Sequence, residues 1–274
     1  VAMELLQSFL LVHDDIMDED DVRRGAPAIH AQYELSTEIT ADSNRRQYGI
    51  SQAICVGDVS AFLAVNILSR LPLAPEVATA VIDFTSKEII TVGLAQMQDV
   101  HHGYVESTTP ERIASVYTHK TGRYTFSLPF AVGALIAGQS ADALEPLIEL
   151  GEHLGRIFQL KDDEIGMFGD TDNTGKPVGG DIRENKMTLL RWELFKRSDQ
   201  AAELARVFGS DSLSPEEIRY VQNEVHRCGA YDAVQDRMHA EAEEARHIVA
   251  GLPVRDEGRQ ILEWLIDYSL TRTN

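Results

Sequence analysis

Cysteine is nearly absent from this chain. Its two copies, Cys55 and Cys228, are too few and too far apart for a disulfide framework or a zinc site. A reducing, cytoplasmic setting is the expectation. No uninterrupted apolar run approaches the roughly 18 to 20 residues that span a bilayer, so no stable membrane insertion is expected. A basic stretch followed by a cleavable apolar core is missing too, which argues against a secretory signal. Alternating strand patterns and Asn-Gly hairpin signals are lacking as well. Positive charge is scarce: the formal net charge is -19. That balance excludes nucleic acid as the expected partner and disfavours an anionic membrane surface. Lysine is the scarcest charged residue, with 6 copies against 19 arginines. Four of the lysines, Lys120, Lys161, Lys176 and Lys186, lie in or beside the motifs that carry the chemistry below.

Helical periodicity is what the chain has in quantity. "VAMELLQSFLLVHDDIM", "ISQAICVGDVSAFLAVNILSRL", "EVATAVIDFTSKEIITVGLAQMQDV" and "PERIASVYTHKTGRYTFSLPFAVGALIAG" are long and apolar on more than one face, as buried helices are. "ADALEPLIELGEHLGRIFQLKDDEIGMF", "SPEEIRYVQNEVHRCGAYDAVQDRMHAEAEEARHIVAGL" and "EGRQILEWLIDYSL" follow. Ser214, Pro215, Glu216 and Glu217 form a strong helix start. No repeat and no linker long enough to divide the chain stands out. These features predict an all-α, single-domain helical bundle. The opening "VAMELLQSFLLV" reads as the middle of a helix, so further residues ahead of Val1 are expected.

Two acidic clusters sit where helices dislike them. Asp14, Asp15 and Asp18 follow the apolar run 5–12, and Asp162 and Asp163 follow "LGRIFQL" ahead of Gly169. Carbonyl oxygens gather at a helix C-terminus, and the macrodipole there disfavours anions. Asp14 and Asp18 are also four apart, on one face. In water such a pair costs about 1 kcal/mol; at an effective dielectric near 20 it costs about 3. One such cluster reads equally well as a solvated helix end. Two of them favour divalent cations, and Mg²⁺ suits a few carboxylates shared with waters and phosphate oxygens. Arg23 and Arg24 follow the first cluster; Lys176 and Lys186 flank the loop "GDTDNTGKPVGGDIRENK" after the second. Carboxylates, phosphate-binding cations and a flexible loop together suit a diphosphate held through metal bridges.

At these residues the chain resembles the trans-isoprenyl diphosphate synthases, the polyprenyl synthetase family. "HDDIMDEDDVRRG" resembles the first aspartate-rich motif with its arginine pair. "YTHKTGRYTFSLPFAVGALIAG" resembles the Lys-Thr helix, and "IFQLKDDEIGMFGDTDNTGKPVGGDIRENKMTLL" the second motif with its loop and lysines. The resemblance implies one isoprenoid synthase domain over 1–274 with a deep central cavity, lacking its N-terminal helices. It implies that Asp14, Asp18 and Asp162 are principal ligands of a three-Mg²⁺ cluster, with Asp15, Asp163 and Asp181 in support. Arg23, Lys120 and Lys186 would grip the allylic diphosphate with Lys176 close by, while Arg24 and Gln7 hold isopentenyl diphosphate. Thr121 and Gln159 would direct oxygen dipoles at the allylic cation; taken alone, these two and Gln7 read as polar residues satisfied inside a bundle. A homodimer is implied as well.

Two departures stand out. Gly166 replaces the third aspartate of the second motif, and the family's upstream Gly-Gly-Lys-Arg element is not in this sequence. In the family it resembles, product length depends on bulk ahead of the first motif. At about 100° per residue, Leu10 lies about 40° around the helix from Asp14 and Phe9 about 140°. On that geometry Leu10 walls the pocket and Phe9 caps it. Relatives that stop at fifteen carbons often have aromatics at both positions, so the resemblance implies a deeper pocket here and geranylgeranyl diphosphate as the expected product. Both residues being plain core is an almost equal reading. Farnesyl diphosphate synthase, a terpene cyclase and a non-catalytic partner subunit remain alternatives. The cyclase's Asn/Ser/Glu metal triad is not found after Phe158.

Overall fold

The computed structural model describes residues 1–36, 44–105, 108–169, 179–210 and 212–273. Among them the chain is all-α apart from one two-residue ladder. It divides into two compact units, Val1–Thr85 and Ser86–Asn274.

In the first unit, α1 (Ala2–Met17) buries Ala2, Leu6, Val12 and Asp15. After it, β1 (Val22–Arg23) pairs antiparallel with β2 (Ala26–Pro27). Arg24 and Gly25 turn the chain at φ 54 and 74. Positive φ at both central positions is the twist a two-residue hairpin requires. The sequence concealed this hairpin because Arg, unlike Asn or Asp, rarely takes the first of those positions. Next come α2 (Ile29–Glu34) and α3 (Arg45–Leu68). The buried residues of α3 are small for most of its length: Gly49, Ala53, Gly57 and Ala64, then Leu68. A Cβ at Gly57 would lie 2.4 Å from the His13 ring, and one at Gly49 would lie 2.3 Å from the His30 carbonyl. At Gly49 the obstacle is backbone, so that position must stay glycine for α2 to seat against α3, whereas at Gly57 the His13 ring would have to turn aside.

That small-residue face leaves the bulk outside. Ile54, Val59, Phe62, Leu63 and Val65 of α3 are exposed, Phe62 by 76%. An 18-residue window of α3 has mean hydropathy 1.6 with 17% of it buried, so α3 is long and apolar enough to cross a membrane by length and composition. The run is not uninterrupted, as the sequence reading has it, and α3 meets the test only on its average. Asp58 interrupts the apolar run without lowering the window's average enough.

α4 (Pro75–Gly103) contains the division between the units. In the second unit, α5 (Pro110–Val116) starts at an N-cap, Thr109, whose hydroxyl accepts from the Arg112 N–H. The chain then winds as a π-helix over Tyr117–Ser127 before α6 (Leu128–Ile136). The continuous α-helix expected across "PERIASVYTHKTGRYTFSLPFAVGALIAG" is thus interrupted for eleven residues. Such winding uses i→i+5 bonds and is rare outside functional sites. The core gathers on α7 (Glu145–Phe168), whose Leu150, Leu154, Ile157, Leu160 and Met167 are fully buried at helical spacing.

The remaining helices are α8 (Gly180–Arg183), α9 (Leu189–Arg197), α10 (Ala201–Val207), α11 (Pro215–Arg227), α12 (Ala230–Gly251) and α13 (Asp256–Thr271). The Ser214 start is a full capping box with Glu217. The single helix expected over α11 and α12 breaks at Gly229, φ 75, a left-handed position suited to glycine.

Candidate active site

The first acidic cluster is built by the end of α1. Asp14 and Asp15 lie in its last turn, and Asp18 closes it with its N–H on the Asp14 carbonyl at 2.8 Å. The 22–27 hairpin folds Arg23 back onto the cluster. Its Nε donates to Asp15 Oδ1 at 2.7 Å, and an Nη donates to the same oxygen. That Nη also lies 4.0 Å from Asp14 Oδ2 and 3.5 Å from Asp20 Oδ2. Asp15 is buried. Burial pushes its carboxyl above the usual range, Arg23 pulls it down, and Asp20 and Asp14 push it up again. Arg23 therefore neutralises the buried member of the cluster, and Asp14 keeps a partly exposed edge. Arg24 is exposed on the hairpin turn; Gln7, Phe9 and Leu10 are half-buried on α1. Phe9 meets the His13 ring edge-on at 5.0 Å.

The second cluster lies in α7 but not in its last turn, as the sequence suggested. The helix continues through 164–168, because the Gly169 N–H still finds the Ile165 carbonyl at 2.7 Å. Asp162 is half-exposed and Asp163 is buried. A chain of side-chain hydrogen bonds converges on Asp163. The Thr121 hydroxyl donates to Gln159 Oε1 at 2.9 Å, Gln159 Nε2 donates to Asp163 Oδ1 at 3.2 Å, and the Tyr117 hydroxyl donates to Asp163 Oδ2. Tyr117 in turn accepts the Leu189 N–H at 2.9 Å, one of the first amides of α9. Burial raises the Asp163 carboxyl well above its usual range, as does Asp181, while Tyr117, Lys186 and Gln159 oppose the rise.

Two glycine contacts make this chain possible. A Cβ on Gly155 would lie 2.1 Å from the Gly122 Cα, and one on Gly151 would lie 2.4 Å from the Ser127 hydroxyl. Backbone touches backbone there, which brings Thr121 on the π-helix within reach of Gln159 on α7. Gly166 has a comparable reason. A Cβ there would lie 2.8 Å from Asp181 Oδ2, so the glycine leaves room for that carboxylate. The departure from a third aspartate thus coincides with an acidic group supplied from α8 to the same spot.

Lys120 Nζ donates to Asp99 Oδ2 of α4 at 2.6 Å. Lys176 lies outside the described residues. Among the described residues, no group of three or more His, Cys, Asp or Glu side chains is already arranged around a metal. The donor set still fits Mg²⁺. The carboxylates that reach solvent are hard oxygens, and Mg²⁺ ordinarily completes its shell with waters and phosphate oxygens. Asp15 and Asp163, buried and already holding donors, suit support of neighbouring ligands better than direct ligation.

Tyr117 and Asp99 belong to these networks and were not found from the sequence, nor was Arg272, whose Nη donates to Asp162 Oδ1 at 2.9 Å. Tyr117 offers a faint signal, three positions ahead of Lys120. Asp99 and Arg272 offer none, since nothing local marks them.

The polyprenyl synthetase family model matches residues 1–225. A geranylgeranyl diphosphate synthase of Sulfolobus acidocaldarius is 31% identical over 221 residues, 79% of this chain and 62% of that protein. This chain thus spans under two thirds of that relative. A geranylgeranyl diphosphate synthase of Methanosarcina mazei is 29% identical over 99% of this chain and 78% of its own length. Among solved structures, a geranylgeranyl pyrophosphate synthase from Corynebacterium glutamicum, complexed with isoprenyl diphosphate and magnesium, superposes with a TM-score of 0.91. It shares 32% identity, covering 99% of this chain and 77% of that one.

Proposed function

Since this chain belongs to the polyprenyl synthetase family, we propose that it is a short-chain trans-prenyltransferase. It joins isopentenyl diphosphate to an allylic diphosphate and yields geranylgeranyl diphosphate. The observation that carries this reading is the hydrogen-bonded chain from Thr121 through Gln159 and Asp163 to Tyr117, one residue from the half-exposed Asp162. Asp14, Asp18 and Asp162 offer carboxylate oxygens to Mg²⁺, three ions by the family's pattern, with Asp15, Asp163 and Asp181 in support. When bound, Mg²⁺ neutralises the diphosphate as it leaves.

The chain's own residues do the rest. Arg23, Lys120 and Lys186 place cations beside the departing charge, and pre-positioned donors of this kind stabilise charge as it develops. Lys120 exchanges Asp99 for phosphate oxygens. Asp163 holds Gln159 by its amide nitrogen, which fixes Gln159 Oε1 toward Thr121 and leaves the Thr121 oxygen's lone pairs available to a neighbouring cation. Apolar surroundings keep water from that cation. Arg24 and Gln7 hold isopentenyl diphosphate. The exposed apolar face of α3 supports a homodimer, because a second copy would cover it.

The test is elongation with labelled isopentenyl diphosphate and dimethylallyl, geranyl or farnesyl primers, with and without Mg²⁺. Metal-dependent elongation is expected. No elongation with any primer would leave a non-catalytic partner subunit as the function. Leu10 lies one turn ahead of Asp14 on α1, so Leu10→Phe is expected to shift the product spectrum toward farnesyl diphosphate. Chromatography of dephosphorylated products reads this, and an unchanged spectrum removes Leu10 from the wall.

A further inference from the structure

Arg272 is the first residue after α13, with its N–H on the Tyr268 carbonyl at 2.9 Å. Its side chain is only 5% exposed. One Nη donates both to Asp162 Oδ1 at 2.9 Å and to the Phe158 carbonyl at 3.2 Å. The guanidinium carbon stands 3.7 Å from the centroid of the Phe158 ring. These three contacts fix the cation against one turn of α7. The pair is lopsided, for Asp162 itself is 51% exposed. An ordinary surface ion pair has both ends wet and little energy. Here the cation is buried on an aromatic face, which strengthens a cation–π contact, while the anion stays open to solvent.

We propose that Arg272 is a built-in counter-cation of Asp162 that opposes metal binding until a diphosphate is present. This rests on the reading of Asp162 as a Mg²⁺ ligand. Arginine keeps its charge at any accessible pH, so a lone divalent ion approaching Asp162 meets a fixed positive group already holding one carboxylate oxygen. It must also shed tightly held water. A diphosphate changes the balance, since its oxygens accept from a guanidinium as readily as a carboxylate does. Arg272 can then pass from Asp162 to phosphate, leaving the aspartate to the metal. Metal and diphosphate thereby bind cooperatively, and linkage requires each to raise the other's affinity equally.

Calorimetric titration of the whole chain with Mg²⁺, alone and with inorganic pyrophosphate, tests this without turnover. Arg272→Gln is expected to bind Mg²⁺ alone about tenfold more tightly than the unmodified chain, the scale of one lost charge-assisted hydrogen bond. Pyrophosphate should then enhance its Mg²⁺ affinity less. Arg272→Lys keeps the charge without the fork and should fall between the two. Asp162→Asn serves as the reference that weakens Mg²⁺ binding. If Asp162→Asn weakens binding but Arg272→Gln and Arg272→Lys both bind as the unmodified chain does, the counter-cation proposal is wrong. If Asp162→Asn leaves Mg²⁺ binding unchanged, the ligand reading beneath it is wrong as well.

Discussion

Asp14→Asn and Asp162→Asn should each lower the elongation rate by about 10² to 10³-fold, the range seen when one pre-positioned charge stabiliser is removed. Each change removes one negative charge at nearly constant shape. On the proposed reading Asp14 loses its pull on Mg²⁺, while Arg23 remains anchored on Asp15. At position 162 the amide oxygen can still accept from Arg272, so the loss should not come from unfolding. Single-turnover elongation with labelled substrate, beside a thermal melt, separates the two causes. A rate within a few-fold of the unmodified chain for both variants would remove the aspartates from the chemistry.

The second large effect is on stability. Arg123 on the π-helix donates from Nε to Glu88 Oε2 at 2.6 Å, from Nη2 to Glu88 Oε1 at 2.7 Å and from Nη1 to Glu152 Oε1 at 2.7 Å. The Glu88 side chain is only 3% exposed. Arg123→Met keeps the aliphatic bulk and leaves that carboxylate buried without its cation. Breaking a buried pair from one side costs roughly 3 to 5 kcal/mol, read as a shift in the denaturant midpoint. Removing both partners with Arg123→Met and Glu88→Leu should recover much of that loss, because the cost lies in the stranded charge. A single variant as stable as the unmodified chain would show that solvent reaches Glu88.

Sequence reading located the helices well where an apolar stripe repeats without interruption, as in α1, α7 and α13. It singled out Asp14, Asp162, Thr121 and Gln159, and the fold joins Thr121 to Gln159 directly. What it could not show has physical causes. Apolar spacing over 117–127 is compatible with either helical winding, since the choice depends on packing against α7 through Gly122, Gly151 and Gly155. The Asp162–Arg272 pair spans 110 positions, and no local pattern announces a contact made by tertiary folding. Local sequence alone gives Asp162 and Asp163 the same surroundings, and only the family resemblance ranks them. Their different burial is a property of the three-dimensional packing.

The Gly122–Gly155 approach limits how the π-helix can vary. Where two main chains touch with no side chain between them, neither segment can drift sideways without carrying the other. Substitutions elsewhere on the π-helix can alter its outward chemistry, yet the spacing between its hydroxyl at 121 and the amide at 159 stays pinned like the jaws of a vice. Variation here must then come from side chains, because this seam gives the backbone no slack.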